Sequence, residues 1–360
     1  MKETIKNRCE FMVLVEGELV SINSDADTNT PRQDPETMLG YVTDVAIKRR
    51  SRDYVEDAYG NEPGYEIMYR NGASLNKIIA ESVFEANGIS GTDELPKIKK
   101  NNKLVPLNKK VEESKQIILD RFWDVRTFGA VLSTGLNAGQ VTGPVQIGIA
   151  RSVDPIQIEE ITIDRICYTT SDGNNSLKTL EDYKKEEESR PSSEKRTFGT
   201  KSFMMYGLYV IKGTISASLA EKTGFTEKDM ERFFESLIRG YEHSISASKQ
   251  GARIVSPVII FKHVGTQPAE NVEQNLKEAK LGCVPAHKLF NLVKIAKKDG
   301  VETPRSFDDY NVSMEFSRVP KGVEIGLKFN PFEPVYYGED YKPHLAGNGW
   351  MDVDGDVVKA

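Results

Sequence analysis

Four cations, Lys48, Arg49, Arg50 and Arg52, fall within five positions. On a helix, Lys48 and Arg52 lie one turn apart with Arg49 beside them, while Arg50 points elsewhere. A stripe of this kind can follow a phosphate backbone, and it equally suits a solvated helix face. The stretch STGLNAGQ adds small residues and two side-chain amides, Asn137 and Gln140, directly after a helical pattern. Small residues let backbone and side-chain amides approach phosphates closely. In RTFGTKS, Phe198 and Lys201 join an aromatic to a cation. Stacking on a single-stranded base uses that pairing, and a local packing anchor would also use Phe198.

Catalytic patterns are weaker. His243, His263, His287 and His344 show neither HxxxH spacing nor pairing with cysteine along the chain, so metal and triad chemistry have little support. Gly135, Gly139 and Gly143 form neither GxGxxG nor a Walker loop. Asp352, Asp354 and Asp356 start like a calcium loop, but the glycine offset is wrong and no twelfth-position glutamate follows. Asp25, Asp27 and Asp34 in a polar loop could hold a divalent ion for phosphodiester cleavage, or be turn formers in solvent. The expectation is a binding protein rather than an enzyme, with no cofactor and no metal.

The elements that must position these residues follow from apolar periodicity. CEFMVLVE is short and β-branched enough for a buried strand, expected over 10–16. A turn-rich loop follows, and then a helix over 41–58 with Ile47, Ser51, Tyr54 and Ala58 inward. KQIILDRFWDVRTFGAVL reads as a helix through Ile118, Phe122, Val125, Gly129 and Leu132. Strands are expected over 144–152, 203–215 and 253–264. A helix over 226–241 opens on a Thr226–Asp229 capping box and carries Met230, Phe233, Phe234, Leu237 and Tyr241 on one stripe. The order βαββαβ is the ferredoxin-like or RRM-type plan of the α+β class. A peripheral helix from His287 to Lys298 and a hairpin pairing Val312–Phe316 with Val323–Leu327 complete the body.

The 360 residues are 38% hydrophobic and 28% charged, which suits a globular chain with a sizeable core and excludes a disordered or fibrous one. A net charge of −6 argues against a surface that binds nucleic acid everywhere, yet KIKKNNKLVPLNKK at 97–110 has six lysines and no acid. One local positive groove fits both facts, as does ordinary solvated surface. No apolar run approaches the roughly 20 residues of a membrane helix. The N-terminus MKETIKNRCE lacks a signal-peptide core, so the expected location is cytoplasmic. Three widely spaced cysteines suggest reduced thiols.

Longer blocks carry a resemblance. Asn7-Arg8, DPETMLGYVTDVAIKRRSRDYV (34–55), DVRTFGAVLSTGLNAGQVTGPVQIGIARSVDPI (124–156), KRTFGTKSFMMYGLYVIKG (195–213), RIVSPVIIFKH (253–263), PAHKLF and PRSFDDY occur in order. Together they make the chain from about 7 to 329 resemble the backbone subunit of the CRISPR Cascade surveillance complex, most closely its type I-C form. The resemblance implies an RRM-like palm (1–59 with 116–153 and 203–265), a helical, lysine-rich insertion (60–115), a thumb hairpin (154–202), a peripheral helix and hairpin (266–330) and an irregular tail (331–360). It implies copies polymerised as a helical filament along crRNA, whose guide bases pair with target DNA in antiviral defence. Large, small and repeat-end-binding Cascade subunits are the further partners implied, with no membrane. RNA contacts are expected from Asn29, Arg32, Lys48, Arg49, Arg52, Asn137, Gln140, Phe198 and Lys201. Residues 17–27 depart from the glycine-, asparagine- and proline-rich run of the family. Two alternatives stay open: a type III-like metal-dependent target-RNA nuclease using Asp25 and Asp27, and a stand-alone RRM-like RNA binder.

Overall fold

The computed structural model describes residues 3–90, 92–100, 103–169, 177–191 and 194–328. The tail expected at 331–360 and the centre of the thumb at 170–176 lie outside these residues.

In chain order the elements are β1 (Cys9–Val20), β2 (Leu39–Val42), α1 (Asp44–Tyr59), α2 (Leu75–Asn87), β3 (Lys97–Lys100), β4 (Lys103–Pro106), α3 (Val111–Arg121), α4 (Trp123–Phe128), β5 (Gly129–Val131) and β6 (Gln140–Thr142). They continue as β7 (Val145–Ile147), β8 (Ala150–Pro155), β9 (Ile158–Arg165), α5 (Leu180–Ser189), β10 (Thr197–Ile215), α6 (Ala217–Thr223), α7 (Glu227–His243), β11 (Ala252–Ile254), β12 (Val258–His263), α8 (Val272–Leu281), α9 (Ala286–Phe290), β13 (Val293–Lys297), β14 (Tyr310–Met314) and β15 (Val323–Lys328).

The class is mixed α+β around one antiparallel sheet in the order β15–β12–β1–β10–β8–β2. Residues 9–17 of β1 are all buried, because its two faces sit in two different cores. Phe11, Val13 and Val15 face a core shared with Ile47 and Val55 of α1 and Phe233, Phe234 and Leu237 of α7. Met12 and Leu14 face the other way, against Leu289, Val293, Tyr310 and Met314. Phe11 pairs across the ladder with Gly213, where an added Cβ would lie 2.3 Å from the Phe11 ring. Only glycine leaves that ring its place.

A further core joins α2, α3 and the segment around Met68 through Ile79, Val83, Ile118, Leu119 and Phe122. The capping box is formed, with Thr226 and Asp229 bonded reciprocally at the start of α7. Asp229 also pairs with Arg126 at 2.7 Å, both buried, which ties α4 to α7.

Several expected elements differ. The helix read through 115–132 breaks at Phe122, whose extended backbone separates α3 from α4, and β5 begins at the left-handed Gly129. The helix expected from His287 to Lys298 stops at Phe290 and becomes β13, because Val293 and Ile295 alternate and pair with Met314 and Val312. The hairpin expected within 312–327 is not formed: β14 pairs with β13, and β15 pairs with β12 at the sheet edge. On α1, Ala58 is exposed, and Val55 and Arg50 take inner positions.

Candidate nucleic-acid interface

Helix α1 starts at Thr43, whose hydroxyl accepts from the Ala46 N–H and whose own N–H and O–H donate to Asn23 Oδ1 at 3.0 Å. That double contact fixes the loop leaving β1 against the helix start. Within α1, all three cations of the sequence stripe have carboxylate partners. Lys48 pairs with Asp44 at 2.8 Å, Arg49 with Asp53 at 2.7 Å, and Arg52 with the fully buried Asp124 at 2.9 Å. Lys48 and Arg52 come together over the Phe128 ring, at 5.9 and 5.1 Å from its centroid, and Arg52 also covers Tyr69. Arg49 is nearly half exposed and faces away from them, toward the Ser21–Ser24 segment. The stripe is therefore split into two flanks rather than shared on one side. Arg50 lies off the stripe, as expected, and turns inward: it donates to the Ile22 and Ala46 carbonyls and stacks on Tyr241.

The loop after β1 is organised by its aspartates. Asp25 accepts from the N–H groups of Asp27 and Thr28 and pairs with Arg32 at 2.8 Å. These peptide bonds first, and Arg32 after them, hold the Asp25 carboxyl below its usual range. Asn29 takes a left-handed φ of 56° and donates its N–H to the Asp25 carbonyl, with its side chain exposed. Asp34 accepts from Glu36 and Thr37 and pairs with Arg151. Of the three carboxylates read as a possible metal site, those of Asp25 and Asp34 are thus engaged as turn formers at separate points. Among the described residues, no cluster of three or more His, Cys, Asp or Glu is arranged to hold a metal ion.

Asn137 and Gln140 are exposed on the β5–β6 hairpin, which begins immediately after Phe128. Asn137 Oδ1 accepts from the Gly139 N–H at 2.9 Å, and Gly139 has a φ of 89° that favours glycine. The Asn137 side-chain amine stays on the surface.

Strand β10 is longer than the sequence pattern suggested. Its residues Thr197–Met204 pair with β9 in a two-stranded ribbon whose outer part is exposed on both faces. Phe198 is 68% exposed and sits opposite Asp164, while Lys201 sits opposite Ile161. Three positions apart on a strand, the two side chains lie on opposite faces. They do not form the joint aromatic–cation platform read from the sequence. Lys201 instead reaches the Ala247 carbonyl at 3.2 Å.

Sequence spacing missed one cluster entirely. His263 and Glu10, both fully buried, meet at 2.6 Å, and Cys283 Sγ lies 3.3 Å from His263 Nδ1. The residues are too far apart in the chain for any spacing rule to join them. The geometry superficially matches a cysteine triad, but His263 Nδ1 accepts the Cys283 peptide N–H, and the thiol donates to the Gly322 carbonyl at 3.1 Å. Burial pushes the Cys283 thiol up, so no thiolate is poised there. The cluster clamps β1 and β12 to the following loops.

Residues 7–315 match the family model of CRISPR-associated protein Cas7, and the chain belongs to that family. A curated CRISPR-associated protein Cas7 from Haloferax volcanii is 23% identical over 247 residues. The match covers 64% of this chain and only 62% of that relative's length. Among solved structures, a chain of a CRISPR RNA-guided surveillance complex in a pre-nicking state is similar at TM-score 0.41 and 15% identity, covering 79% of this chain and 86% of that one. A chain of another CRISPR RNA-guided surveillance complex is similar at TM-score 0.38 and 12% identity, covering 79% and 80%.

Proposed function

We propose that this Cas7-family chain is a backbone subunit of a type I, I-C-like Cascade surveillance complex, acting as a non-enzymatic scaffold in the cytoplasm. Copies of it polymerise along crRNA and present the guide bases for pairing with target DNA, alongside large, small and repeat-end-binding subunits. The observation that carries the reading is the family match, which runs through α1, the β5–β6 hairpin and the β9–β10 ribbon. In this reading β1, β8, β10 and β12 with α1 and α7 are a ferredoxin-like palm, since the sheet order β12–β1–β10–β8 places them fourth, first, third and second. The ribbon is the thumb, and Lys48, Arg49, Arg52, Asn29, Arg32, Asn137 and Gln140 are the palm contacts to RNA.

The alternatives are less favoured by what surrounds their key residues. A lone RRM-like binder stacks bases on its open sheet face; here that face is covered by α9, β13 and β14 through Leu289, Val293 and Met314. A nuclease using Asp25 would need a carboxylate that three protein donors already occupy. The test is to purify the chain with its operon partners, measure the 260/280 nm absorbance ratio, and sequence any bound RNA. Repeat-flanked guides protected in a regular ladder are expected. Nucleic-acid-free monomer with the partners present would refute the reading.

A further inference from the structure

Across the helix from Lys48 and Arg52, a second cationic feature is built from parts distant in sequence. The segment Ser21–Ser24, the Arg49 flank of α1 and the turn carrying Ser248 and Lys249 enclose a cavity of about 230 Å³. Arg49, Arg50 and Lys249 line it together with Asn23, Ser24 and Ser248. Asp53 is the one carboxylate of the lining, and it is committed to Arg49 at 2.7 Å.

Lys249 differs from the α1 cations. Its Nζ donates to Ser244 Oγ at 3.2 Å, and no ion pair engages it among the described residues. It is half-buried, and burial first, then the charge of Arg50, hold its amine below the ordinary lysine value; Asp53 pulls it back by more than Arg49 adds. Three cations, Arg49, Arg50 and Lys249, line the cleft against one carboxylate, and that net positive charge favours an anion. The lining hydroxyls of Ser21 and Ser24 bond to each other, and that of Ser248 to Ser246, so they can turn their protons toward an incoming oxygen.

We propose that Arg49 and Lys249, with Asn23, Ser24 and Ser248, form a cleft that binds one backbone phosphate of the guide RNA. The proposal rests on the RNA-binding reading above and adds to it a residue outside α1. Three observations favour a phosphodiester in a strand. Arg49 and Lys48 are consecutive on α1, so the cleft and the other cationic flank belong to one helix. The ribbon is anchored to the same turn by Lys201 at the Ala247 carbonyl. The cleft offers point charge and hydroxyl donors, and no aromatic ring in its lining on which a base would stack.

The test titrates the full chain with a labelled single-stranded guide RNA by fluorescence anisotropy across a salt series. Lys249→Gln is expected to weaken binding about tenfold at 0.1 M salt and to lower the log–log salt slope by about 0.7, the share of one single-strand phosphate contact. Lys249→Arg is expected to restore both, which a merely structural lysine in a turn would not require. If wild type binds RNA and Lys249→Gln matches it in affinity and slope, the cleft assignment fails while the RNA-binding reading survives. If wild type fails to bind RNA at all, the underlying reading fails and takes the cleft with it. Inorganic phosphate supplies the second arm: competition no stronger than chloride at equal ionic strength supports a phosphodiester site. Displacement of RNA by micromolar phosphate would overturn the proposal in favour of a free-phosphate site.

Discussion

Arg52 was read from the sequence as a phosphate contact, and the structure gives it a second employment that can be weighed. Its Nε donates to Asp124, which is fully buried and otherwise accepts only from the Met68 and Tyr69 N–H groups at 2.9 and 3.2 Å. Arg52→Ala would strand that carboxylate beside two peptide donors. Removing one partner of a buried ion pair costs about 3–5 kcal/mol. The pair is not fully enclosed, since the Arg52 side chain keeps 13% of its exposure and water can enter the gap. Loss of its contacts with Tyr69 and Phe128 adds about 0.5–1 kcal/mol each. The expected net loss is about 3 kcal/mol. Urea unfolding of the full chain should show it as a midpoint lowered by about 1 M or more at unchanged slope. A double-mutant cycle with Asp124→Asn should return a coupling above about 1 kcal/mol. Lys48→Ala, whose partner Asp44 is on the surface, should lose under about 0.5 kcal/mol while flattening the salt dependence of RNA binding. A stable Arg52→Ala that binds RNA as weakly as Lys48→Ala would refute this reasoning.

Asp229→Ala should be more damaging still, about 3–5 kcal/mol by urea unfolding, because it strands the buried Arg126 and uncaps α7 together; a loss below 1 kcal/mol would show that Arg126 finds another partner. Phe198→Ala, at an exposed ribbon position, should leave the melting temperature unchanged and reduce nuclease protection of bound guide RNA; equal protection would remove Phe198 from the interface. Glu278 has its carboxyl lowered to about 2, chiefly by the Thr266 hydroxyl, then by Gln274 and the Thr266 N–H. Its folded value lies below the unfolded one, so its anchoring of the 266–278 segment is complete above the ordinary carboxylate range and lost as pH falls toward 2. Amide exchange at Thr266, corrected for intrinsic rate, should accelerate over that window, and flat protection would contradict it. Among the thiols, exposed Cys167 should react with a maleimide first and Cys283 slowly. Cys9, buried and pushed up to about 12, should react only on unfolding, as mass spectrometry of the labelled chain can follow.

What the sequence disclosed and what it concealed divides along the distance over which each property is set. The capping box of α7 and the apolar run of β1 are local, and both could be read directly from residue spacing. The strand at 293–297 was mistaken for a helix because KLFNLVKIAKK satisfies both periods; pairing with β14, whose partner residues lie further along the chain, decided it. The outer ribbon of β10 carries no buried face, so the apolar signal that marks a sheet strand starts only near Phe203. The same division governs the candidate interface. Which side chains are cationic is a local fact, but whether a charge is free to meet a phosphate depends on what the fold places against it. Asp44 and Asp53 stand one turn from Lys48 and Arg49, a local pairing, whereas Asp124 lies 72 residues from Arg52. Lys249, on a serine-rich turn with no pattern to recommend it, follows α7 into a cleft shared with Arg49 and Arg50. A cation paired with a buried acid contributes less to a phosphate than one without a carboxylate partner. Lys249→Gln should therefore lower RNA affinity more than Arg52→Ala does.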